Sequence, residues 1–541
     1  MRIRPTPAAA VAAALLLVPR PASAQHDAAH PHGASAATVG NVVFATSCAP
    51  AADSAFRQGV TLLHSFWYEE SERAFRGAVE ADPRCAIGWW GVAMSHLHPL
   101  WQAPGEADLA AGLQAVAAGR AIASATPREK AWLEAMAAYY EGSATRPHRE
   151  RLLAWEAATG EVHRAYPRDS EAAIFHALTL LAVANALPAD PALERNRRAG
   201  AILDPIFRAQ PSHPGLAHYL VHAYDAPALA SRGVEAARRY ALIAPAVPHA
   251  RHMPSHTFTR LGMWDESIES NRSSAEAGRR YEAEQHLPGA WDQRLHALDY
   301  LAYAYLQQGR HADARRVVDE AAAVTAVEPR VSQAADYALA AIPARWALER
   351  ADWAAAARLA VRPSSAFPAT EAITRFARGL GAARTGDAAL AAREAAALDS
   401  LQRALVAQQQ GLWAGAVGVQ RQELGAWIAW EAGDRSRAME LAAAAADAES
   451  RLEKSPVTPG SVLPAAALQG ELLFNATRYA EALGAYERGL AREPNRAALL
   501  AGAVLSARAA GNAAAADRYS AQYRRLMAHA DPGAALPVSA R

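Results

Sequence analysis

Apolar residues along the chain recur with the spacing of amphipathic helices. From Phe56 to Ala78, apolar side chains recur at helical spacing, and Asp82-Pro83 then ends the second helix. This spacing gathers the apolar side chains on one face of a helix. Strict alternation of apolar and polar residues, which would indicate strands, is absent from the sequence. We therefore predict an all-α protein.

A turn motif recurs along the chain and divides the helices into pairs. Each copy has a small or polar residue where one helix ends, and the next helix begins two or three positions later. The copies begin at Gly262, Gly309, Ala351, Gly386, Gly433, Thr477 and Gly511. Helix pairs of about 34 residues are typical of tetratricopeptide (TPR) repeats. Since the spacing here varies from about 35 to 47 residues, we predict an α-solenoid of degenerate TPR-like helix pairs that forms a curved superhelix.

Composition supports a repeat array. The chain has 541 residues, which is long for one compact core, and 52% of them are hydrophobic. Lys and Arg number 55 against 54 Asp and Glu. This balance lacks the excess positive charge that nucleic-acid binding needs, so no nucleic-acid partner is expected.

The first residues have the three parts of a secretory signal peptide. Arg2 and Arg4 supply positive charge, residues 8–18 form a short apolar run, and residues 22–24 are small, as at a cleavage site. We predict that the mature protein is periplasmic or secreted and has no membrane span. The predicted domains are a signal peptide over 1–24, a disordered N-terminal segment over 25–41, a TPR-like solenoid with a His-rich groove over 42–320, TPR repeats over 321–530 and a disordered tail over 531–541.

Two cysteines lie at corresponding ends of successive repeats. Cys48 precedes the first predicted helix, and Cys85 begins the helix that opens the next repeat. Export would permit a disulfide between Cys48 and Cys85 that links the first two repeats. The alternative is a pair of buried thiols that pack as small apolar side chains.

Histidines are concentrated in one stretch, where six of the 19 are His213, His218, His222, His249, His252 and His256. His218, His222 and Asp225 are spaced i, i+4 and i+7, so a helix over 215–224 would place them on one face. A helix beginning near Pro254 would carry His256, with His249 and His252 on the loop before it. Further along, His296 and Asp299 repeat the pairing of an imidazole with a carboxylate.

These positions fall on the first helices of predicted repeats, as do His64, His96 and His176. First helices line the concave surface of a TPR array, so we expect the imidazoles to project into one groove. Imidazole and carboxylate groups suit zinc, copper or iron. The predicted metal ligands are His218, His222, Asp225, His252, His256 and His296. Asp299 and Tyr300 are candidate acid–base groups if the site is catalytic.

Other interpretations stay open. Histidines in helical arrays also bond to carbonyls or stack on aromatic rings, and this chain has 13 tryptophans and 16 tyrosines. His26, His30 and His32 are more typical of an unstructured segment than of a metal-binding tail. Sequence motifs of phosphate-binding loops, serine hydrolases and CxxC redox sites do not stand out.

The chain resembles a group of exported bacterial TPR-repeat proteins. The resemblance is carried by residues 63–68, 98–101, 213–225, 252–256 and 296–300, and it covers roughly residues 42–320. It implies the repeat fold and export, and no activity.

From the residues we predict an exported TPR protein whose groove binds a transition metal. The same groove would bind a peptide, protein or small-molecule ligand. If the metal is catalytic, the protein is a metalloenzyme. The alternatives are a metal-free scaffold for protein–protein interactions in the periplasm and a metal-independent enzyme with His256 or His222 as general base.

Overall fold

The computed structural model describes residues 36–101, 103–188, 190–362 and 366–534. Within these ranges the chain forms 26 α-helices and one two-stranded parallel sheet, which joins Ala290–Trp291 to Val327–Glu328. The predicted all-α class is confirmed. The predicted signal peptide, the tail histidines His26, His30 and His32, and residues 535–541 lie outside the described residues.

Thirteen helices precede the turn at Gly262. They are α1 (Ala36–Val39), α2 (Pro50–Leu63), α3 (Tyr68–Ala81), α4 (Ala86–Ser95), α5 (Glu106–Arg120), α6 (Pro127–Tyr140), α7 (His148–Ala165), α8 (Ser170–Ala186), α9 (Glu194–Ala209), α10 (Pro214–Ala223), α11 (Val234–Ile243), α12 (Pro248–His252) and α13 (Pro254–Arg260).

The remaining helices follow that turn. They are α14 (Trp264–Glu284), α15 (Asp292–Gln307), α16 (His311–Ala322), α17 (Gln333–Leu348), α18 (Trp353–Ala357), α19 (Pro368–Thr385), α20 (Ala388–Ala407), α21 (Gly411–Glu431), α22 (Arg435–Ser450), α23 (Ala465–Asn475), α24 (Tyr479–Arg492), α25 (Ala497–Ala509) and α26 (Ala513–Leu526).

Each predicted turn residue lies between the two helices of a pair. All seven have positive φ angles, from 52° at Ala351 to 86° at Gly386. A left-handed residue ends a helix and reverses the chain, and glycine adopts this conformation at the lowest cost. Five of the seven are glycine, which explains why the pairs could be recognised in the sequence.

The last helix pairs pack back onto the middle of the array. Trp264 Nε1 donates a hydrogen bond to the carbonyl of Asn495 at 2.9 Å, and the Ala497 amide donates to Gln307 Oε1 at 3.0 Å. Buried apolar residues of α14–α17 form one core with those of α23–α26. The stacked pairs therefore enclose an interior that is covered on several sides.

Two short segments predicted to be disordered are held by contacts where they are described. Residues 36–41 begin with α1, where Val39 is buried, and the Asn41 amide donates to the carbonyl of Ser212. Asp531 accepts a hydrogen bond from the Ala312 amide at 2.6 Å. Backbone pairing and apolar burial fix these residues although their composition is typical of a tail.

Cys48 and Cys85 form a disulfide, with Cα atoms 4.7 Å apart. The predicted bridge, rather than the pair of free thiols, is therefore what the structure contains. It ties the segment before α2 to the start of α4.

Among the described residues, every helix is too short or too polar to cross a lipid bilayer.

Candidate metal centre

Four helices bring six histidines together inside the array. Helix α10 carries His218 and His222, α12 carries His249 and His252, α13 carries His256 and α15 carries His296. All six side chains are buried, and His222 is the most accessible at 8%. The rings therefore point into an enclosed interior, which corrects the expectation that they line an open groove.

Prolines determine how these helices begin. Pro214, Pro248 and Pro254 each occupy the first turn of a short helix, where a missing backbone N–H costs nothing. Pro254 also cannot extend the hydrogen-bond ladder of α12, which ends at His252. His249 and His252 consequently lie on a helix, whereas the sequence predicted a loop.

His218, His222 and His249 form the first three-imidazole set. His218 Nε2 lies 3.1 Å from His222 Nε2 and 3.2 Å from His249 Nε2. One ring nitrogen from each of the three lies within 4.8 Å of those of the other two. Ligand atoms about 2.0–2.1 Å from one metal ion are separated by distances of this order.

His252, His256 and His296 form the second three-imidazole set. His252 Nε2 lies 3.1 Å from His256 Nε2, and a nitrogen of His296 completes the group within 4.8 Å. His296 Nδ1 is buried without a hydrogen-bond partner among the described residues. A buried imidazole nitrogen without a partner is costly unless another group occupies its lone pair.

Hydrogen bonds on the far side of the rings determine which nitrogens carry protons in the second set. His252 Nδ1 donates to Asn271 Oδ1 at 2.7 Å, because the Asn271 amide nitrogen donates to the Ser267 carbonyl. His256 Nδ1 donates to Asp225 Oδ2 at 3.0 Å. In neutral imidazoles both Nε2 atoms are then unprotonated, since only one nitrogen carries hydrogen. Two lone pairs face each other at 3.1 Å.

The first set has the same arrangement at His218. Its Nδ1 donates to the backbone carbonyl of His64 at 2.6 Å, so its Nε2 is unprotonated in the neutral ring. This single lone pair faces two further ring nitrogens, those of His222 and His249. A metal ion placed between the three nitrogens would occupy the lone pairs of all of them.

Imidazoles of the two sets lie close together, and three aromatic side chains pack beside them. Ring centroids are 5.9 Å apart for His222 and His256, and 6.0 Å apart for His249 and His252. The ring of Phe66 packs against all three imidazoles of the first set, and the ring of Tyr300 packs against all three of the second. Trp101 contacts one ring of each set, at His249 and His296.

Burial keeps the imidazoles neutral. It lowers the pKa of His218 to about 3 and holds the pKa values of His222, His249, His252 and His296 well below the usual range. Burial also lowers the pKa of His256, to about 4, although its hydrogen bond to Asp225 opposes this. Neutral imidazole is the form that binds metals.

One carboxylate and two cations border the second set. Asp225 accepts hydrogen bonds from Arg260 Nε at 2.8 Å and from Lys454 Nζ at 2.7 Å, as well as from His256. Burial raises the pKa of Asp225, but Lys454 and Arg260 outweigh it and hold that pKa well below its usual range. Burial lowers the pKa of Lys454 to about 8, and Asp225 limits this fall. Beyond Asp225, Glu453 accepts from Arg260 at 3.3 Å, so two carboxylates balance the charges of Arg260 and Lys454.

Asp225 and Asp299 have other placements than predicted, whereas Tyr300 contacts the second set. Asp225 follows the end of α10 at Ala223, so it turns away from the face of His222 and binds the Nδ1 side of His256. Asp299 is paired with Arg345 at 3.0 Å, and both side chains are completely buried, so it is held in an ion pair rather than facing the imidazoles. The Tyr300 ring does contact the second set, and its hydroxyl donates to the Thr458 carbonyl at 2.9 Å.

A third cluster, His64, Glu171 and His213, is satisfied by its own hydrogen bonds. Glu171 accepts from His64 Nε2 and His213 Nε2, both at 2.9 Å. His64 Nδ1 then accepts from the Tyr219 hydroxyl at 3.0 Å, and His213 Nδ1 accepts from the Leu216 amide. Every ring nitrogen has a partner, so this cluster acts as a support for the first set through the His64 carbonyl.

The sequence-based site omitted several residues. His249 was placed on a loop and left out, although its position in the His249–His256 stretch was a usable signal. Phe66, Asn271, Arg260 and Lys454 carry no motif that marks them, since they reach the site only through the packing of distant helices.

A cavity of about 130 Å³ reaches His222 of the first set. Its lining includes His222, Asp225, Lys454, Asn185, Arg195 and Asn196. The cavity therefore meets the first set at His222, and its lining combines apolar residues with charged groups of both signs.

The chain matches no protein-family model and no curated protein. Among solved structures, it is similar to the TPR domain of P58(IPK), with 12% identity and a TM-score of 0.20 over 85% of this chain and 98% of that one. It is similar to a monomeric mutant of IFIT1, with 12% identity and a TM-score of 0.30 over 86% of this chain and 95% of that one. It is also similar to a structure of Naa15/Naa10 bound to HypK, with 12% identity and a TM-score of 0.22 over 88% of this chain and 70% of that one. Similarity at this level transfers no ligand or partner.

Proposed function

We propose that the protein binds transition-metal ions in its interior, one in each three-imidazole set, and admits a small-molecule ligand at His222. The observation that carries this proposal is the approach of His252 Nε2 and His256 Nε2 to 3.1 Å while both Nδ1 hydrogens are donated elsewhere. Two lone pairs at that distance repel each other unless a cation lies between them. At His218, one lone pair faces the ring nitrogens of His222 and His249 at 3.1 and 3.2 Å.

The supporting groups are those expected around metal ligands. Imidazoles that bind metals donate their second N–H to a carboxylate, an amide oxygen or a backbone carbonyl, which fixes the tautomer and the ring orientation. Asp225, Asn271 and the His64 carbonyl fill these roles here. Zinc, copper and iron all accept three imidazoles with an open position for a further ligand.

Metal analysis of protein purified without chelators tests the proposal. We expect two ions per chain in the unaltered protein. His252→Ala with His256→Ala should remove one ion, and His218→Ala with His222→Ala should remove the other. His163→Ala with His176→Ala is the matched control, because these two imidazoles contact each other on α7 and α8 outside both sets. It should keep both ions.

Folding is monitored by circular dichroism, and cobalt(II) titration of the unaltered protein gives a second readout that needs no substitution. We expect visible absorption typical of nitrogen-ligated cobalt(II). Metal binding would be contradicted if the protein held only traces of metal, if the substitutions left these traces unchanged, and if cobalt(II) gave no visible absorption. That outcome would leave a helical-repeat scaffold that binds partner proteins. Export stays a separate prediction, which N-terminal sequencing of the secreted chain would check.

A further inference from the structure

The six candidate ligands bring no negative charge to the interior. Every one is a neutral imidazole, and the nearby carboxylates Asp225 and Glu453 are already paired with Arg260 and Lys454. Cysteine is excluded as a ligand because Cys48 and Cys85 are joined to each other. Any charge that metal ions carry into this space must therefore be balanced by something other than the side chains.

This balance discriminates between metals. Two divalent ions would add four positive charges to a buried region whose nearby carboxylates already pair with Lys454 and Arg260, and uncompensated buried charge is strongly unfavourable. The cost falls if the ions are monovalent or if a small anion enters with them. Among zinc, copper and iron, copper is the metal with a stable monovalent state. As a divalent ion it also binds nitrogen ligands more tightly than the other two.

We propose that the two sets hold a pair of copper ions that reacts with dioxygen and shares one small anion when oxidised. This inference rests on the proposed function. Each set supplies three imidazoles and leaves a position open, and two rings of each set lie about 6 Å, centroid to centroid, from a ring of the other. The two sets are therefore close enough for one small anion to contact both.

The electrons balance within this pair. Two copper(I) ions give up one electron each, and one dioxygen molecule accepts both, so that two copper(II) ions and one peroxide dianion result. Both oxygen atoms stay bonded to each other. The dianion offsets half of the charge of the two copper(II) ions. Lys454 Nζ, which is 3.5 Å from the Tyr300 hydroxyl beside the second set, attracts that dianion.

The test uses full-length apoprotein loaded with two equivalents of copper(I) under argon and then exposed to dioxygen. We expect uptake of one dioxygen for every two copper ions. The oxidised protein should give little or no electron paramagnetic resonance signal, because a shared anion couples the two unpaired spins. The variant with both His252→Ala and His256→Ala should keep one copper ion. Its copper(II) should give a full electron paramagnetic resonance signal, and it should no longer take up one dioxygen for every two copper ions.

Lys454→Met separates the role of the anion from that of the ligands. We expect it to retain copper(I) but to bind azide, a probe anion, at least about 10-fold more weakly in the copper(II) form, since it removes a positive charge beside the site. Lys130→Met removes an exposed lysine of α6 and should leave azide binding unchanged.

Two full, uncoupled copper(II) signals in the unaltered protein would overturn the pair and leave two separate metal sites standing. Equal affinity for zinc(II) and copper(I) would overturn the charge argument. Absence of any bound metal would remove the proposed function as well, so the two failures are distinguishable.

Discussion

His218 donates its Nδ1 hydrogen to the backbone carbonyl of His64, 2.6 Å away and 154 positions earlier in the chain. The His64 ring is itself held by Glu171 and Tyr219 and stacks on Phe175. The direction of the His218 lone pair is therefore determined by a cluster that has no free nitrogen. Substitutions in this supporting cluster should alter the first set without touching a ligand.

Gly215→Ala should displace that support. A Cβ atom at position 215 would lie 2.4 Å from His64 Nδ1, which is well inside contact distance, and the surrounding rings leave His64 little room to move. We expect metal affinity at the first set to fall about 10- to 100-fold, as for other losses of outer-shell support. The second set should keep its ion. Metal titration measures both sites.

Gly77→Ala is the control for that substitution, because a Cβ there meets nothing within 4 Å. Alanine in a helix interior is more favourable than glycine, so this variant should be slightly more stable and bind metal normally. Unchanged occupancy of the first set in Gly215→Ala would show that the His64 carbonyl does not position His218.

Asn271→Ala should weaken the second set selectively. Asn271 Oδ1 accepts the Nδ1 hydrogen of His252, and without this acceptor the ring is free to flip or to protonate Nε2. We expect a loss of about 10- to 100-fold in affinity at that set. Ser273→Ala, two residues along the same helix, is the control. Equal losses at both sets would point to general unfolding instead.

The repeat architecture was predictable because it is encoded locally. Helix ends coincide with residues such as Gly309 and Gly433 that adopt positive φ angles easily, and the apolar spacing marks the buried faces. The i, i+4 pair His218–His222 could be read in the same way, whereas His252 of the pair His252–His256 was predicted on a loop. Each pair does converge, with Nε2 atoms 3.1 Å apart.

The division into two sets could not be read from spacing. It depends on where α12 and α13 pack against α10, and this places His249 with His218 rather than with its neighbour His252. Asp225 was assigned to the helix face because the helix was predicted one residue too long. Lys454 lies 229 positions from Asp225 in the sequence, so only the tertiary fold shows their contact.

Arg345→Ala should destabilise the fold strongly. Arg345 is completely buried, pairs with Asp299 and donates to the carbonyls of Gly460 and Ser461, so its removal leaves a buried carboxylate without a cation. Breaking such a pair costs about 3–5 kcal/mol. Urea denaturation measures the loss. Arg315→Ala, which removes an exposed pair with Asp319, should give no measurable change.

His96 should make stability depend on pH in the alkaline range. Its Nδ1 lies 3.1 Å from Asp108 and its Nε2 lies 3.3 Å from Glu72. Burial lowers the pKa of His96, but these two carboxylates outweigh it and raise the pKa to about 9, above the 6.5 of an unfolded histidine. Burial lowers the pKa of the nearby His98 to about 4, and positive charge on His96 adds to this fall, so His98 is neutral in this range.

A group whose pKa is higher in the folded state binds its proton more tightly there, so the proton stabilises the fold. This contribution is complete below the unfolded pKa of 6.5 and is lost as pH rises through about 9. We therefore expect the unaltered protein to be more stable than His96→Gln near pH 6, with the difference shrinking towards pH 10. Urea midpoints across this range measure it. A difference that stays constant with pH would mean that His96 acts through packing alone, since glutamine carries no titrating group.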